Sequence, residues 1–589
     1  MLQQLVKQFS TLAFSLCPFT SDDQRIFLMN FWEKIPNRPD NFSTFVSSLM
    51  NLWESSHNDN LNELTGIPLQ SRMLAEVFHE DAAHFCSTGK VRLPECLNLI
   101  MLYDQFVFKK CKEHFDKFGV NVSEKGCRVL QDYQHNYQQS LMYCALVSYL
   151  HPEHIRELNH SEIVLFQNKQ FVDRFKSAQD NIGIVVRLAG EKAVFLHSTF
   201  TEYFIALYFS EYFSFQLGFI EKIYMNEDFK VIQKFLDRIL AKERKLHTSV
   251  INQNLSEVQN LVSQGSIEVN LRDAGGRTAL HLAILNMNTF FHTDQKCLYG
   301  YFLYKDECYD DNYKILKTLL DHGAVVDCEE DQVLHCKPLQ LAEKIKAWRV
   351  VAMLLESQDD DKLIGWIRDN IEKEEVGGEC ESRMSESLHN VAFVSLDDGN
   401  MNVVKSILNC GVSVHHTMRD NNDTMLSIVA MNGHVELAQL LISHCANDDE
   451  KQVYVNKIYE DGITALYLAA GLGEYEIAEL LLKHGALVDV CGGYENRTPL
   501  MRAAEENQLT LAELLVQHGA CVNANGQTAL FLAAQTGYYD MVELLIQLGA
   551  DANICDNVNR TPLMMALKRD LKGVIQVLRR NKASENATN

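Results

Sequence analysis

The stretches Thr464-Ala-Leu-Tyr-Leu-Ala-Ala, Thr498-Pro-Leu, Thr528-Ala-Leu-Phe-Leu-Ala-Ala and Thr561-Pro-Leu decide the fold of this chain. They begin 34, 30 and 33 residues apart. Each of the first three is followed by an ending of the form L-[LVI]-x-x-G-A, as in Leu481 to Ala486. A period near 33 with T-P-L-x-x-A predicts one turn and two helices per unit. The sequence therefore predicts a solenoid whose units stack on one another.

Each repeat residue has a distinct physical role. The threonine hydroxyl accepts a backbone N–H at the start of the first helix. Pro499 and Pro562 follow at the first helical position, where a missing N–H donor costs nothing. Gly485, Gly519 and Gly549 stand where the second helix ends in a left-handed residue. These roles interlock, so the repeat pattern is a strong signal.

The period and motif resemble those of the ankyrin-repeat family, whose members present a binding surface and carry no chemistry of their own. Clear weaker copies begin at Thr278 and Lys337, and degenerate ones at Leu388 and Thr424. We predict about nine units over 244–582, followed by a disordered tail at 583–589. Long spacings predict loop insertions at 286–312, which is rich in aromatic residues, and at 357–385, which is acidic.

An ankyrin array exposes its turn tips and the ends of its first helices on one concave side. Counting from each T-x-L motif gives the positions expected to bind a protein partner. They are Tyr494, Glu495, Arg497, Glu505, Glu506, Gln527, Gln535, Thr536, Asn557, Val558, Arg560, Lys568 and Arg569. The aromatic insertion 286–312 is an alternative contact surface, because aromatic residues are enriched at binding hot spots. The preferred interpretation is a flap that folds back on the solenoid and covers its own apolar surface.

Bulk composition excludes several classes of function. At 589 residues the chain exceeds a single hydrophobic core, so two or more domains are expected. A net charge of −24 argues against nucleic-acid binding by phosphate neutralisation. The N-terminus lacks the features of a signal peptide, and glutamates interrupt the most apolar stretch, so no membrane span is expected. The 16 scattered cysteines fit reduced thiols and a cytoplasmic location.

The first 240 residues have a different pattern. Apolar residues recur at helical spacing through 97–118 and 126–149. A hairpin is predicted from Ile184-Val-Val-Arg-Leu and Ala193-Val-Phe-Leu around a turn at Ala189-Gly190, with a helix from Thr199. The residues alone therefore predict a helical region closed by a small winged element.

Four motifs in this half resemble those of NACHT NTPases, in the family's order. They are Cys17-Pro-Phe-Thr-Ser-Asp-Asp-Gln with Phe27-Leu-Met-Asn-Phe-Trp, Thr65-Gly-Ile-Pro-Leu-Gln-Ser-Arg, Leu102-Tyr-Asp-Gln-Phe-Val-Phe-Lys-Lys, and Phe195-Leu-His-Ser-Thr-Phe-Thr-Glu-Tyr-Phe. The resemblance covers about residues 10–215. It implies a mainly α protein: a helical and winged-helix remnant of a NACHT module, followed by the ankyrin solenoid. It divides the chain into a NACHT-like part (1–120), a winged-helix and linker region (121–243) and the repeats.

The chain lacks the motifs with which that family binds and hydrolyses a nucleotide. A phosphate-binding loop needs G-x-x-x-x-G-K-[ST], but Gly89-Lys90 is followed by Val91, and His84 stands at the first glycine position. The acidic Walker B strand is also missing, so the sequence is expected to start inside the module. The resemblance implies that Pro68 contacts adenine and His197 the β-phosphate. Without the loop, a helix-start proline and a hydrogen-bonded histidine are the preferred interpretations, and no cofactor is expected unless a longer form binds ATP or ADP.

Three hypotheses follow from these observations. The leading one is a non-enzymatic, protein-binding scaffold or regulatory signalling protein. The second is a fragment of a nucleotide-switched NACHT ATPase of the innate-immune type. The third, a metal-dependent enzyme, rests only on stray pairs such as Cys111 with His114 and on Cys328, His335 and Cys336 in a repeat loop. The oligomeric state and the identity of the partner stay open.

Overall fold

The structure of the chain is a computed structural model. It describes residues 20–55, 68–94, 97–117, 126–151, 154–155, 158, 184–189, 192–212, 217–265, 267–287, 311–376, 379–418, 423–458, 462–493, 496–524 and 528–584. The predicted fold class is confirmed, because the chain is mainly α-helical and ends in stacked helix pairs. It divides into two compact units, Met1–Ile345 and Lys346–Asn589. None of the helices in the described ranges is long and apolar enough to cross a membrane.

The described part of the first unit begins with six helices, and three of them contribute to or adjoin an aromatic core. The six are α1 (Ser21–Phe31), α2 (Phe42–Ser55), α3 (Pro68–Val77), α4 (His79–Thr88), α5 (Leu99–Lys117) and α6 (Gly126–Tyr149). The core lies at α1, α2 and α4, where Trp32, Phe42, Phe45 and Phe85 are buried against one another, with ring centroids 5.6–6.1 Å apart. Such aromatic clusters bury much apolar area per residue, which is what holds short helices together.

The predicted hairpin is present and is followed by a helix. Strands β1 (Val185–Ala189) and β2 (Lys192–Phe195) pair antiparallel. The next elements are α7 (Ser198–Tyr212), α8 (Leu217–Met225), a short 3-10 helix (Glu227–Phe229) and α9 (Lys230–Leu240). Tyr203 of α7 packs its ring 5.0 Å from that of Tyr103 in α5 and 5.7 Å from that of Phe235 in α9. This helix therefore connects the early helices to those that precede the repeats.

Repeat helices begin within the first unit. They are α10 (Lys245–Ile251), α11 (Leu255–Ser263), α12 (Ala279–Met287), α13 (Asp311–Asp321) and α14 (Pro338–Lys344). The unit thus extends past the predicted boundary at 243–244, because the first repeats pack on the helices before them. The Ala274 N–H, for example, donates to the carbonyl of Leu240 (3.1 Å). Most of the predicted insertion 286–312 lies outside the described residues.

The second unit is a stack of helix pairs. Its helices are α15 (Trp348–Glu356), α16 (Asp360–Asp369), α17 (Glu386–Asp397), α18 (Met401–Asn409), α19 (Met425–Asn432), α20 (Val435–Ser443), α21 (Asp448–Val455), α22 (Ala465–Leu472), α23 (Tyr475–Lys483), α24 (Pro499–Glu505), α25 (Leu509–Gln517), α26 (Ala529–Thr536), α27 (Tyr539–Gln547), α28 (Pro562–Lys568) and α29 (Lys572–Arg580). The first helices of successive repeats, α22, α24, α26 and α28, pack on one another in order. Their alanines and leucines, such as Ala469, Leu500 and Leu530, are fully buried, so neighbouring helices approach closely.

The repeat residues have the roles that their types predict. The hydroxyls of Thr464, Thr498, Thr528 and Thr561 each accept the backbone N–H three residues later, at 3.2 Å. Gly519 ends the second helix of its repeat with φ +93°, a conformation that side-chain-bearing residues rarely adopt. Capping and termination are thus encoded within each repeat.

The acidic segment 357–385 is structured, unlike the loop expected from its composition. Asp359 caps α16 by accepting the Lys362 N–H (3.0 Å), and α16 buries Leu363 and Ile367. Strands β3 (Ile371–Val376) and β4 (Glu379–Met384) then form a hairpin, and a second, two-residue ladder joins β5 (Thr417–Met418) to β6 (Asp423–Thr424).

Part of the predicted disordered tail, 583–589, is also described. The Ser584 N–H donates to the Asn553 side chain (2.7 Å), which ties the start of this segment to the preceding repeat. Residues 585–589 lie outside the described residues.

Candidate functional site

The predicted binding positions fall in the last three repeats of the second unit. Tyr494, Glu495 and Gln527 lie outside the described residues. The remainder are at turn tips or at the ends of first helices, and Glu506, Thr536, Asn557, Val558, Lys568 and Arg569 are exposed. Val558 is the most accessible apolar member, at 68% exposure. These positions therefore offer a mixture of amide, apolar and cationic groups to a partner.

Four charged side chains form one cluster across the turn and the end of α24. Glu505 pairs with Arg497 at the turn and with Arg502 Nη1 (2.7 Å) on its own helix. Arg502 Nη1 also lies 2.9 Å from Glu506 Oε1. Partial burial opposes ionisation of Glu505, but the hydrogen bonds and charges of the two arginines outweigh it and lower the pKa of Glu505. The cluster is a fixed, charge-balanced surface.

The next two repeats are linked by a backbone contact. Arg569 Nη1 donates to the carbonyl of Gln535 (2.6 Å). The hydroxyl of Thr536 donates to the carbonyls of Leu532 (3.0 Å) and Ala533 (3.1 Å), so it is directed into its own helix end. Among the predicted binding positions in these two repeats, Lys568 and Arg569 are exposed and place positive charge at the surface.

Arg560 is engaged within its own turn. Its Nε and Nη2 atoms donate to Asp556 Oδ2 at 2.7 and 2.5 Å, and its guanidinium carbon lies 5.8 Å from the Phe531 ring centroid. Hydrogen bonds and the charge of Arg560 lower the pKa of Asp556 against the opposing effect of desolvation. Arg560 therefore shapes the turn tip from which Asn557 and Val558 project.

Two residues of this surface were not predicted, although the sequence holds a signal for each. Arg502 precedes Glu505 and Glu506 by three and four positions, the spacing of neighbours on a helix. Asp556 stands four positions before Arg560, as Asp273 stands before Arg277.

The charged surface has a counterpart in an earlier repeat of the same unit. Asp397 and Asp398 end α17 and pair with Arg349, at 2.5 Å from Nη2 and 3.5 Å from Nε. Asn432 of the next repeat donates to Asp397 Oδ1 (2.9 Å). Ion pairs at first-helix ends thus recur along the array.

The residues implied by the NACHT resemblance lie near one polar cluster of the first unit. Pro68 begins α3, and Gln70, two residues later, is buried beside Tyr103. The Tyr103 hydroxyl donates to Thr199 Oγ1 (2.7 Å), which lies 3.1 Å from His197 Nδ1. The fold therefore brings α3 and the His197 segment together, although about 120 residues of sequence separate them.

This cluster does not suit a nucleotide phosphate. Burial lowers the pKa of His197, so its imidazole is neutral at pH 7. Gln70, Tyr103 and Thr199 are neutral as well, whereas phosphate binding relies on cationic side chains or convergent backbone amides. Pro68 and His197 thus have the surroundings of structural residues, and no step of nucleotide chemistry is derived from them.

Cysteine and histidine side chains do not gather into a metal site in the described ranges. No group of three or more His, Cys, Asp or Glu side chains there could hold a metal ion. Burial raises the pKa of the Cys111 thiol to about 12, which keeps it protonated and a poor ligand. Cys328 and Cys336 likewise have pKa values raised by burial.

Comparison with known proteins identifies the repeats. Residues 388–490, 451–525, 489–554 and 519–589 match a family model described as ankyrin repeats (3 copies). A 122-residue stretch is 43% identical to human B-cell lymphoma 3 protein, covering 20% of this chain and 26% of that protein. The mouse homologue is 40% identical over 131 residues, covering 22% and 28%. Human neurogenic locus notch homolog protein 1 is 47% identical over 60 residues, covering 10% and 2%.

The C-terminal part of the chain is therefore an ankyrin-repeat array, as its motifs predicted. The chain spans about a quarter of the length of the B-cell lymphoma 3 proteins that it matches. The similarity supports protein interaction through the repeats. It is confined to the aligned stretches and does not cover the remainder of those relatives.

Proposed function

We propose that this chain is a non-enzymatic scaffold or regulatory signalling protein that binds a protein partner through the concave tips of its last repeats. The observation that carries the proposal is the turn at Asn557 and Val558. There, an apolar side chain that is 68% exposed stands at the tip of an arginine-braced turn that precedes α28, and Lys568, the last residue of that helix, is exposed as well. Exposed apolar groups on a rigid framework are typical of binding surfaces.

The charge clusters give this surface its rigidity. Glu505 and Arg560 are both held by intramolecular ion pairs, so their geometry is fixed before a partner arrives. A preorganised surface loses less conformational entropy on binding. We infer that Asn557, Val558 and Lys568 make the contacts, while Arg497, Glu505 and Arg560 position the turns.

The first unit is proposed to be a NACHT-like regulatory module without nucleotide turnover. The four quoted motifs and the hairpin followed by α7 support this assignment, and the neutral His197 cluster argues against phosphate binding. A cytoplasmic location in signal transduction is part of the same proposal, resting on the reduced cysteines and the family resemblance. The alternative is that the chain is a fragment of a nucleotide-switched ATPase. An upstream reading frame that encodes G-x-x-x-x-G-K-[ST] would favour it, and a longer form containing that loop should then bind ATP in an isothermal titration.

Site-specific photo-crosslinking in cells tests the binding surface. A photoreactive phenylalanine analogue at position 558 of the full chain should yield a discrete crosslinked protein. The same group at Glu513, exposed on a second helix, is the matched control and should yield none. Equal crosslinking from both positions would show that the concave tips are not the contact.

A variant then links the crosslink to the predicted residues. Replacing Asn557, Val558 and Lys568 by alanine should reduce recovery of that partner at least tenfold, with an unchanged melting temperature. Glu513→Ala should leave recovery unaltered. If recovery survives the triple change, the aromatic segment 286–312 is the next surface to test.

A further inference from the structure

The last helix of the array carries a charge opposite in sign to that of the second helices before it. The four preceding second helices, α20, α23, α25 and α27, have net charges of −1, −1, −1 and −2, whereas α29 has +3. In chain order, the charged residues of these five helices are Glu436; Glu476, Glu479 and Lys483; Glu513; Asp540 and Glu543; and Lys572, Arg579 and Arg580. Lys582, which follows α29, adds a fourth cation to the last repeat.

These cations lie on the solvent side of a helix whose other side is packed. The buried side chains of α29 are Val574, Ile575, Val577 and Leu578. The exposed residues of this segment include Lys572, Gln576, Arg579, Arg580 and Lys582. Two helical turns separate Lys572 from Arg579, so these residues share one face and lie about 10 Å apart along the helix axis. The last repeat therefore presents a row of cations on a rigid helix, and we call Lys572, Arg579, Arg580 and Lys582 the basic row.

The carboxylates of the chain leave most of the basic row uncompensated. Within the described ranges, Lys572, Arg580 and Lys582 form no ion pair, whereas Arg560 of the same repeat is paired with an aspartate. Asp570 is the single acidic residue between positions 557 and 584. The positive charge of this surface is therefore available to an external group.

Helix stability and solubility explain only part of the basic row. A terminal repeat needs a polar outer surface, but charges of either sign meet that need. Arginines at the end of α29 interact favourably with its dipole, whereas a cation at its start opposes the dipole. The helices α20, α23 and α27 instead have Glu436, Glu476 and Asp540 in their first turns. Lys572 thus stands against the preference of its own helix, which favours a role in binding.

We propose that the basic row binds an acidic segment of a partner protein, whose aspartate and glutamate carboxylates pair with Lys572 and the two arginines. A guanidinium forms two parallel hydrogen bonds to a carboxylate, and an ammonium attracts it as a point charge. Five extended residues span about 16 Å, which is enough to reach from the start of α29 to its end.

A protein segment suits the basic row better than a nucleic acid does. The chain has a net charge of −24, which repels a long polyanion along most of the surface. A short acidic segment instead lies within about 8 Å of the row, the distance over which physiological salt screens more remote charges. The basic row contains none of the proposed contacts Asn557, Val558 and Lys568, so failure of either proposal leaves the other intact.

Fluorescence polarisation of labelled, end-capped peptides on the full chain at physiological ionic strength tests this proposal. The probe is Gly-Asp-Glu-Glu-Asp-Glu-Gly, and its control is the neutral Gly-Asn-Gln-Gln-Asn-Gln-Gly. The acidic peptide should bind about tenfold more tightly than the neutral one, as three exposed ion pairs allow. Replacing Lys572, Arg579 and Arg580 by glutamine should abolish that preference. Equal affinity of the wild type for the two peptides would overturn the proposal.

A second triple variant is the matched control for net charge. It replaces Arg368, Lys405 and Lys483, which are exposed on α16, α18 and α23, by glutamine. This variant should change the affinity for the acidic peptide less than twofold. Equal weakening by the two triple variants would show that only the overall field of the chain acts, and would overturn the proposal.

Two further measurements complete the test. A six-nucleotide oligothymidine, which carries the same five negative charges as the acidic peptide, should bind more weakly than that peptide. Tighter binding of the oligonucleotide would overturn the proposal in favour of a nucleic-acid surface. If the first triple variant melts early, Lys572→Gln combined with Arg580→Gln replaces it and should weaken peptide binding several-fold with normal melting.

Discussion

The turns at Asp273–Arg277 and Asp556–Arg560 have the same local bonds but opposite surroundings. In each, the arginine Nε donates to its aspartate, at 2.9 and 2.7 Å. Arg277 is fully buried, whereas the Arg560 side chain is 40% exposed. Arg277 Nη1 also donates to the Tyr224 hydroxyl (2.8 Å) and pairs with Asp237 of α9. Among the described residues, Arg560 additionally lies over the face of the Phe531 ring.

The difference shows how one motif can serve two purposes. At Arg277 it fastens the first repeats to the helices that precede them within the first unit, through the buried side chains of Asp237 and Tyr224. At Arg560 it braces a surface turn. Burial makes the first contact indispensable, because a buried charge without its partner is strongly unfavourable, while solvent screens the second.

The largest expected effect is that of Arg277→Met. The change leaves Asp237 and Asp273 buried without their cation, which should cost about 3–5 kcal/mol of unfolding free energy. Hydrogen exchange of amides in α9 and α12 should accelerate accordingly, while exchange in α26 should stay as in the wild type. A loss below about 1 kcal/mol would show that the two turns are equivalent after all.

The second-largest expected effect is that of low pH, which should destabilise the turn at Asp273–Arg277 more than the turn at Asp556–Arg560. The Thr278 N–H donates to His281 Nδ1 (3.2 Å), where the second turn has the Thr561 N–H directed at Met564 Sδ (3.4 Å). Burial disfavours the charged form of His281 and lowers its pKa in the folded state to about 4, from the usual value of about 6.5 for histidine. As pH falls from 6.5 towards 4, the unfolded chain takes up a proton that the folded chain refuses. Stability of the first turn should therefore fall by about 3 kcal/mol over this window.

Hydrogen exchange at pH 7 and pH 4.5 in the first and second turns checks this expectation. His281→Gln is the matched variant, because Gln340 occupies the same place in the following repeat and accepts the Lys337 N–H (2.9 Å). Between pH 7 and pH 4.5, the variant should lose less stability at the turn Asp273–Arg277 than the wild type does. Identical pH dependence would exclude His281 as the cause.

Tyr224→Phe should have an intermediate effect. Its hydroxyl accepts from Arg277 and donates to Asp237 Oδ1 (2.6 Å), so removal breaks two hydrogen bonds to charged groups. We expect a loss of about 1.5–3 kcal/mol in the opening free energy of α9. Tyr149→Phe is the control, because its half-exposed hydroxyl donates to a neutral carbonyl of Asp228 (3.1 Å). Equal losses would mean that the buried charges add nothing.

The smallest effect should be that of Arg560→Met. The side chain is partly exposed, and Asp556 retains the N–H groups of Val558 and Arg560, so a cost of about 1 kcal/mol is expected. Exchange of amides at 556–560 should quicken slightly while α28 stays protected. A loss as large as that for Arg277→Met would contradict the assigned difference between the turns.

The sequence predicted the parts of this fold that depend on neighbours within a few residues. Threonine caps, the ending at Gly519 and the hairpin after Ile184 follow from side-chain chemistry and spacing, and each is present. The segment 357–385 was misjudged, because its acidic composition conceals the buried face of Leu363 and Ile367. Of the candidate site, the turn-tip positions could be named, but Arg502 and Asp556 were overlooked.

What the sequence by itself determined is the repeat: its period near 33 residues, its threonine caps and its glycine ends, because each cap forms with partners only a few residues away. What only the tertiary structure decided is which of the two aspartate–arginine turns is buried. Tyr224 and Asp237 reach Arg277 from 53 and 40 residues away. No local pattern encodes such contacts, because they depend on how whole helices pack, and that packing sets the different dielectric surroundings of Arg277 and Arg560.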